Sequence, residues 1–173
     1  MNIFIPDIYA KNIYAIDYNK LKERSIKCII FDLDNTIVPI KVNEPDHKIK
    51  ELLAKLDDLG FKVIIMSNSH KKRLTPFKEG LNVDTAYSSM KPLKRKYKKI
   101  MKLYGYKEDE IACIGDQLLT DIAGANRMGF TSIFVEKLAD EDLFFTRINR
   151  FFERKILRSL NKKGVYEKGK YYD

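Results

Sequence analysis

Five short apolar runs, IKCIIF (26–31), FKVIIM (61–66), VDTAY (83–87), IACIG (111–115) and TSIFV (131–135), alternate with segments of helical periodicity. Most lack the polar alternation of a half-solvated strand. That pattern suits strands buried on both faces, as in parallel sheets whose crossovers are helices. The intervening segments supply the crossovers. In NEPDHKIKELLAKLDDLG, Ile49, Leu52, Leu53, Leu56 and Leu59 recur at helical spacing, Asn43 serves as N-cap, Pro45 falls in the first turn and Gly60 stops the helix. In PLKRKYKKIMKLYG, Pro92 opens a helix, Leu93, Tyr97, Ile100, Met101 and Tyr104 share its apolar face, and Gly105 ends it. Its lysines and arginines read as a solvated face. The alternation predicts an α/β fold with a doubly wound, mostly parallel sheet.

A chain of 173 residues with 45% hydrophobic content is long enough for one compact core. No repeat, low-complexity tract or Pro/Gly-rich linker divides it. A single domain over 1–173 is expected, with a motif-bearing core (26–135), an N-terminal arm (1–25) and a basic C-terminal extension (140–173).

Open parallel sheets collect their chemistry beyond the carboxyl ends of the strands. The first run, KCIIFDLDNT, ends there on two carboxylates, Asp32 and Asp34, followed by Thr36. Residues i and i+2 of an extended segment point the same way. Both acids can therefore face one site, where a hard divalent cation such as Mg²⁺ would accept their oxygens. Ser67 and Asn68 follow the second run, Lys91 follows the third, and Asp116 and Asp121 follow the fourth in GDQLLTD. Singly, each reads as a turn, a cap or a surface charge. In this order at successive strand ends, they make a set suited to phosphoryl transfer. Asp32 supplies a nucleophile and Asp34 a general acid/base. Ser67 and Lys91 bind phosphate oxygens, with Asn68 and Thr36 as further substrate contacts. Asp116, with Asp121 nearby, completes the metal site.

The residues DLDNT, Ser67, Lys91-Pro92 and GDQLLTD resemble motifs I to IV of the haloacid-dehalogenase (HAD) superfamily of aspartate-nucleophile phosphatases. The resemblance implies a Rossmann-like fold and hydrolysis of a phosphate monoester through an aspartyl-phosphate. It implies Mg²⁺ held by Asp32, the backbone carbonyl of Asp34, and Asp116, with Asp121 behind them or coordinating directly. DLDNT with KP and GDQxxTD, and the lead-in IPDIYAKNIYAIDYNKLKERSIK, are similar to the YqeG-type branch of subfamily IIIA, related to phosphatidylglycerophosphate phosphatases. The intervals from Asp32 to Ser67 and from Ser67 to Lys91 each hold little more than one helix and one strand. A substantial cap domain is therefore not expected. An open site suits a lipid head group, a macromolecule, or a small phosphate enclosed with help from a neighbouring subunit.

The rest of the chain constrains partners and place. Cys28 and Cys113 sit in apolar runs and read as core residues. No export signal is evident and no run reaches the ~20 apolar residues of a membrane span. The protein is expected to be cytoplasmic, and peripheral to the inner face of the membrane if it touches one. A net charge of +9 favours an anionic partner. His47 and His70 show no zinc or triad spacing; His70 follows SNS closely enough to line a site. In EDLFFTRINRFFERKILRSLNKKG, Phe145, Ile148, Phe152 and Ile156 form a helical stripe that Phe144 and Phe151 widen. Arg147, Arg150, Arg154, Lys155 and Arg158 occupy much of the remainder. Such a helix fits packing on the domain or on a second copy in a homo-oligomer, or an anionic membrane. Nucleic acid ranks behind these. The final YEKGKYYD is expected to fray. Competing functions are a phosphatase of a phospholipid precursor, a phosphatase of a soluble sugar, nucleotide or nucleic-acid-end phosphate, and a non-catalytic basic binding module. The intact acidic set argues against the last.

Overall fold

The computed structural model describes residues 3–141 and 144–173. Its strands are β1 (Ile8–Ala10), β2 (Cys28–Phe31), β3 (Lys62–Met66), β4 (Asp84–Ala86), β5 (Ile111–Gly115) and β6 (Thr131–Val135). The helices are α1 (Tyr18–Glu23), α2 (His47–Asp58), α3 (Lys71–Leu81), α4 (Lys94–Tyr104), α5 (Ala123–Met128) and α6 (Phe144–Lys162). One sheet runs β1-β6-β5-β2-β3-β4, and every neighbouring pair is parallel. The doubly wound parallel sheet anticipated above is the fold, and among the described residues no substantial cap interrupts it.

The side-chain alternation of a strand explains why helices cover both faces. Ile29, Phe31, Val63, Ile65, Ala112 and Ile114 point to one face, where Leu52, Leu53 and Leu56 of α2 and Leu74 and Phe77 of α3 pack on them. Cys28, Ile30, Ile64, Met66 and Cys113 point to the other, under Tyr97 and Ile100 of α4 and Ala125 and Met128 of α5. Both cysteines are buried and free, as their apolar context implied.

Three details depart from the expectations. First, the sheet has a sixth strand, drawn from the N-terminal arm. Ile8 pairs with Ile133 and Ala10 with Val135. Asp7 fixes that register: its carboxylate accepts from the Ser132 amide at 2.8 Å, and its own amide donates to the Ser132 carbonyl at 3.0 Å. Second, α2 begins later than Asn43 and Pro45 suggested. Asp46 is the N-cap, its carboxylate accepting from the Ile49 amide at 2.9 Å. Third, the C-terminal residues do not fray. Tyr172 exchanges both backbone hydrogen bonds with Tyr9, at 2.8 and 3.0 Å, and so blocks the free edge of β1.

The C-terminal helix is also seated differently from the reading that packs its aromatic stripe on the domain. Its inward face is Glu153, Ile156, Leu157 and Leu160, packed against Tyr9, Phe134, Leu118 and Ile122. Ile148, Phe151 and Phe152 point to solvent. The side chains of Phe144 and Phe145 lie outside the described residues. Leu160, 2% exposed, anchors this seat. Leu160→Ala should lower stability by about 2–4 kcal/mol, read as a reduced urea midpoint; an unchanged midpoint would mean that α6 is not held on the sheet edge.

Candidate active site

Motif I sits where β2 leaves the sheet. The Asp32 amide still donates to the Ile114 carbonyl of β5 at 2.9 Å, so the strand fixes Asp32. The chain then turns tightly: the Leu33 carbonyl accepts from the amides of Thr36, Ile37 and Val38, and Asn35 adopts φ 66°. Asparagine tolerates that left-handed backbone better than most residues, which gives DLDNT a conformational reason for its fourth letter. The turn leaves the Asp34 carboxylate at the cavity wall. Arg73 of α3 donates to its Oδ1 through Nε (3.0 Å) and Nη2 (2.8 Å), and the Ser69 hydroxyl donates to its Oδ2 at 2.9 Å.

The loop after β3 carries Ser67 and Asn68. The Ser67 amide donates to Ala86 at the end of β4, and its hydroxyl accepts from the Ser69 amide at 3.1 Å. Asn68 lines the cavity, but its amide is committed to the Lys91 loop. Its Oδ1 accepts from the Lys91 amide (2.7 Å) and the Ser89 hydroxyl (2.8 Å), and its Nδ2 donates to the Lys91 carbonyl at 3.3 Å. That bracket aims Lys91 inward. Lys91 Nζ reaches Asp32 Oδ1 (2.5 Å), Asp121 Oδ1 (2.6 Å) and the Met66 carbonyl (3.0 Å). Three contacts match the three donors of an ammonium. Burial works to lower the Lys91 pKa, but the Asp121 and Asp32 carboxylates outweigh it and hold the ammonium charged.

Motif IV closes the site. Asp116 follows β5, and Asp121 lies in a π-helical turn, Leu118–Ile122, that leads into α5. The Asp121 and Ile122 amides both donate to the Gln117 carbonyl, and the Gln117 amide donates back to Asp121 Oδ2 at 3.2 Å. Gly115 makes room: a Cβ there would lie 2.3–2.5 Å from the Asp121 side chain. Thr36 donates to Asp116 Oδ1 at 3.2 Å, and Arg150 of α6 donates to Asp116 Oδ2. Burial pushes the Asp116 carboxyl up to about 6, against the pull of Arg150. Burial also pushes Asp32 above the ordinary carboxylate range; Lys91 opposes that, and the charges of Asp121 and Asp116 add to it.

Ligand oxygens of Asp32, Asp116 and Asp121 lie within 4.8 Å of one another, all three residues buried. Asp32 Oδ2 is buried without a hydrogen-bond partner. Three acids drawn together out of water, with an oxygen left over, fit a divalent cation better than they fit a purely structural network.

Of the three acids, Asp32 lines a cavity of about 850 Å³, and Asp116 and Asp121 lie outside its lining. Asp32, Asp34, Ser67, Asn68 and Lys91 line it, while Thr36 stands behind Asp116. His70 is on the wall. Sequence reasoning missed other contributors, among them Ser69, Lys72, Arg73, Gln117, Thr146 and Asn149. Arg73 is one of several consecutive basic residues (HKKR), and nothing in the letters marks which of them turns inward. Arg150 gives no signal either: in the letters it is one of several basic residues that share the helix with the aromatic stripe.

A buried aspartate at the end of a central parallel strand, an acid two residues on, a lysine-bridged acidic cluster and an uncapped cavity define a HAD-type phosphatase, a phosphoric monoester hydrolase. Residues 1–138 match the family model described as mitochondrial PGP phosphatase, and the chain belongs to that family. The Bacillus subtilis protein described as "Probable phosphatase YqeG" is 40% identical over 161 residues, covering 93% of this chain and 94% of its own. An Arabidopsis thaliana phosphatidylglycerophosphate phosphatase 1 is 26% identical over 93% of this chain and 49% of its own. The cobalt-bound deoxy-D-mannose-octulosonate 8-phosphate phosphatase of Haemophilus influenzae superposes with a TM-score of 0.55 at 16% identity, covering 84% of this chain and 95% of that one. That last likeness concerns the fold.

The tight fit at Gly115 is open to test. Gly115→Ala should push Asp121 away from Lys91, lower stability by about 1–3 kcal/mol and remove most phosphatase activity. Wild-type stability and turnover in that variant would mean that the Asp121 position is not required.

Proposed function

We propose that this chain hydrolyses a phosphate monoester through an aspartyl-phosphate on Asp32, with Mg²⁺ as its metal. The observation that carries the reading is the asymmetry of Asp32: Lys91 holds Oδ1, and Oδ2 is buried at the cavity without a partner. In the first step Oδ2 attacks phosphorus, the bond to the leaving oxygen breaks, and that oxygen takes a proton from Asp34. In the second step Asp34 removes a proton from water, which attacks phosphorus and releases inorganic phosphate and Asp32. The environment of Asp34 suits both duties. Arg73 fixes Oδ1, whereas Oδ2 faces a hydroxyl and not a cation, so Oδ2 is the oxygen placed to carry the proton. Ser67 contributes a phosphate contact, and the Lys91 charge offsets that of the incoming anion. Mg²⁺, held by Asp32, the Asp34 carbonyl and Asp116, would neutralise charge on the phosphoryl oxygens. Asp121, engaged by Lys91 and the Gln117 amide, orients this set. Thr36 and Asn68 act through Asp116 and Lys91.

A phospholipid head group is the substrate that the surroundings of the cavity favour. Tyr87, Met90 and Leu93 beyond β4 are exposed, as are Ile148, Phe151 and Phe152 on the helix that supplies Thr146 and Asn149 to the cavity wall. Lys72 also lines the cavity, and Arg147, Arg154, Lys155 and Arg158 are exposed on the same helix. Apolar side chains interleaved with cations around a phosphate site suit an anionic membrane surface. No helix among the described residues is long and apolar enough to cross a membrane. Relatives described as phosphatidylglycerophosphate phosphatases support the same substrate class.

Two sets of variants test this. Asp32→Asn should reduce hydrolysis of an aryl phosphate by several orders of magnitude; near-normal turnover would refute the covalent route. Asp34→Asn should lower turnover far more than it lowers Mg²⁺ affinity, measured by calorimetry. For the lipid, Arg147→Glu with Arg154→Glu should abolish flotation with anionic vesicles and slow turnover of a membrane-embedded phosphatidylglycerophosphate, while aryl phosphate hydrolysis stays within about twofold. Indifference of the wild type to vesicles at low salt would favour a soluble phosphate instead.

A further inference from the structure

Among the described residues, two cations contact the acidic cluster, and only one belongs to the strand-end motifs. Lys91 covers Asp32 and Asp121. Asp116 is covered by Arg150, which arrives from α6, well outside the sheet. Arg150 Nη1 donates to the Asp116 backbone carbonyl at 2.6 Å while Nη2 takes the carboxylate. Glu153, one turn further on, braces it: Oε2 accepts from Arg150 at 2.9 Å, and Oε1 accepts from the Leu119 amide at 3.0 Å. The guanidinium is thus inserted into the motif IV loop, with Asp116 fully buried beneath it.

We propose that Arg150 is a tethered counter-cation, which holds Asp116 in the metal-free protein and gives it up when a divalent cation binds. This rests on the reading of the acidic cluster as the metal site. The physical reason is like-charge crowding. A guanidinium and a divalent cation on one buried carboxylate repel each other where the effective dielectric constant is low. Lys91 does not face the same conflict at Asp116, because it contacts the other two acids. The geometry of α6 lets Arg150 yield without unfolding the helix. Its apolar anchors, Ile156, Leu157 and Leu160, lie C-terminal to Arg150. In the half that carries Arg150, the described apolar side chains Ile148, Phe151 and Phe152 are exposed, so among the described residues little apolar contact holds it down. Metal binding and the seating of this half of α6 therefore oppose each other. The helix that walls the cavity through Thr146 and Asn149 loosens as the site is loaded.

The experiment compares wild type with Arg150→Gln by Mg²⁺ and Mn²⁺ calorimetry, and follows wild-type amide exchange with and without saturating Mg²⁺. Removing the competitor should tighten metal binding, by ~5–150-fold if the coupling falls in the usual range for linked sites. It should also lower the melting temperature of the metal-free protein and enlarge the upward shift that Mg²⁺ produces. In the wild type, amides of residues 146–153 should exchange faster once metal is bound, while those of 156–162 stay protected. Unchanged or weaker metal affinity in Arg150→Gln would overturn the proposal and make Arg150 a group that positions Asp116 for the metal. Unchanged or slower exchange in the wild type would overturn it too, and that measurement decides the matter if the variant fails to fold. A wild type that binds neither cation would defeat the metal reading itself, a result distinct from binding that the variant does not tighten.

Discussion

A single buried ammonium makes the site compatible with a folded protein. Asp32, Asp116 and Asp121 are brought together beyond the central strands with almost no access to water. Three such carboxylates would repel one another strongly out of water. Lys91 Nζ lies between two of them and also donates to the carbonyl at the end of β3. It ties the carboxyl ends of two strands to the π-helical turn after a third. The surrounding structure serves that position: Asn68 brackets the Lys91 backbone on both sides, and Gly115 leaves the space that Asp121 needs in order to reach it. Asn68 and Lys91 thus act as one structural unit, with Ser67 on the same loop.

How legible this was in the sequence depended on what set each element. The strands β2, β3, β5 and β6 are short apolar runs because both faces of the sheet are covered, and that signal survives without tertiary information. The edge strand β1 has three residues and is paired on one side by the sheet and on the other by Tyr172, so no periodicity marks it. The start of α2 was displaced because Asn43 and Asp46 are both good N-caps. The choice between them depends on where the loop from motif I lands, and Arg73 pulls that loop toward α3 through the Val42 carbonyl and Asn43.

Within the site, the strand-end residues were legible because their chemistry is unusual for their place: acids and a lysine follow apolar runs. Arg73 and Arg150 were not, because the chain carries 33 lysines and arginines and most are solvated. Selecting these two requires knowing which helix turn faces the cavity. The reading of α6 failed for a related reason. Its aromatic residues are its largest apolar side chains, so a two-sided helix would be expected to bury them. In the fold, Tyr166 and Tyr172 already pack on Tyr9, and the helix turns its aliphatic residues Ile156, Leu157 and Leu160 toward this edge.

The electrostatic design then has two layers of opposite sign. The innermost layer is acidic, which suits a cation and opposes a phosphate dianion. The outer layer is basic, with an overall charge of +9, and includes Lys72 on the cavity wall and Arg147, Arg154 and Arg158 of α6. A phosphate approaching from solution therefore meets attraction over the distances at which charges act in salt water, roughly 8 Å. Only in contact does it meet the acids, where Lys91 already balances part of their charge. This separation by depth lets one small, uncapped cavity both concentrate a divalent cation and admit an anion. It also explains why the basic residues are spread over loops and a terminal helix while the buried acids are confined to strand ends: the long-range field needs only proximity, whereas a buried acidic cluster needs fixed positions.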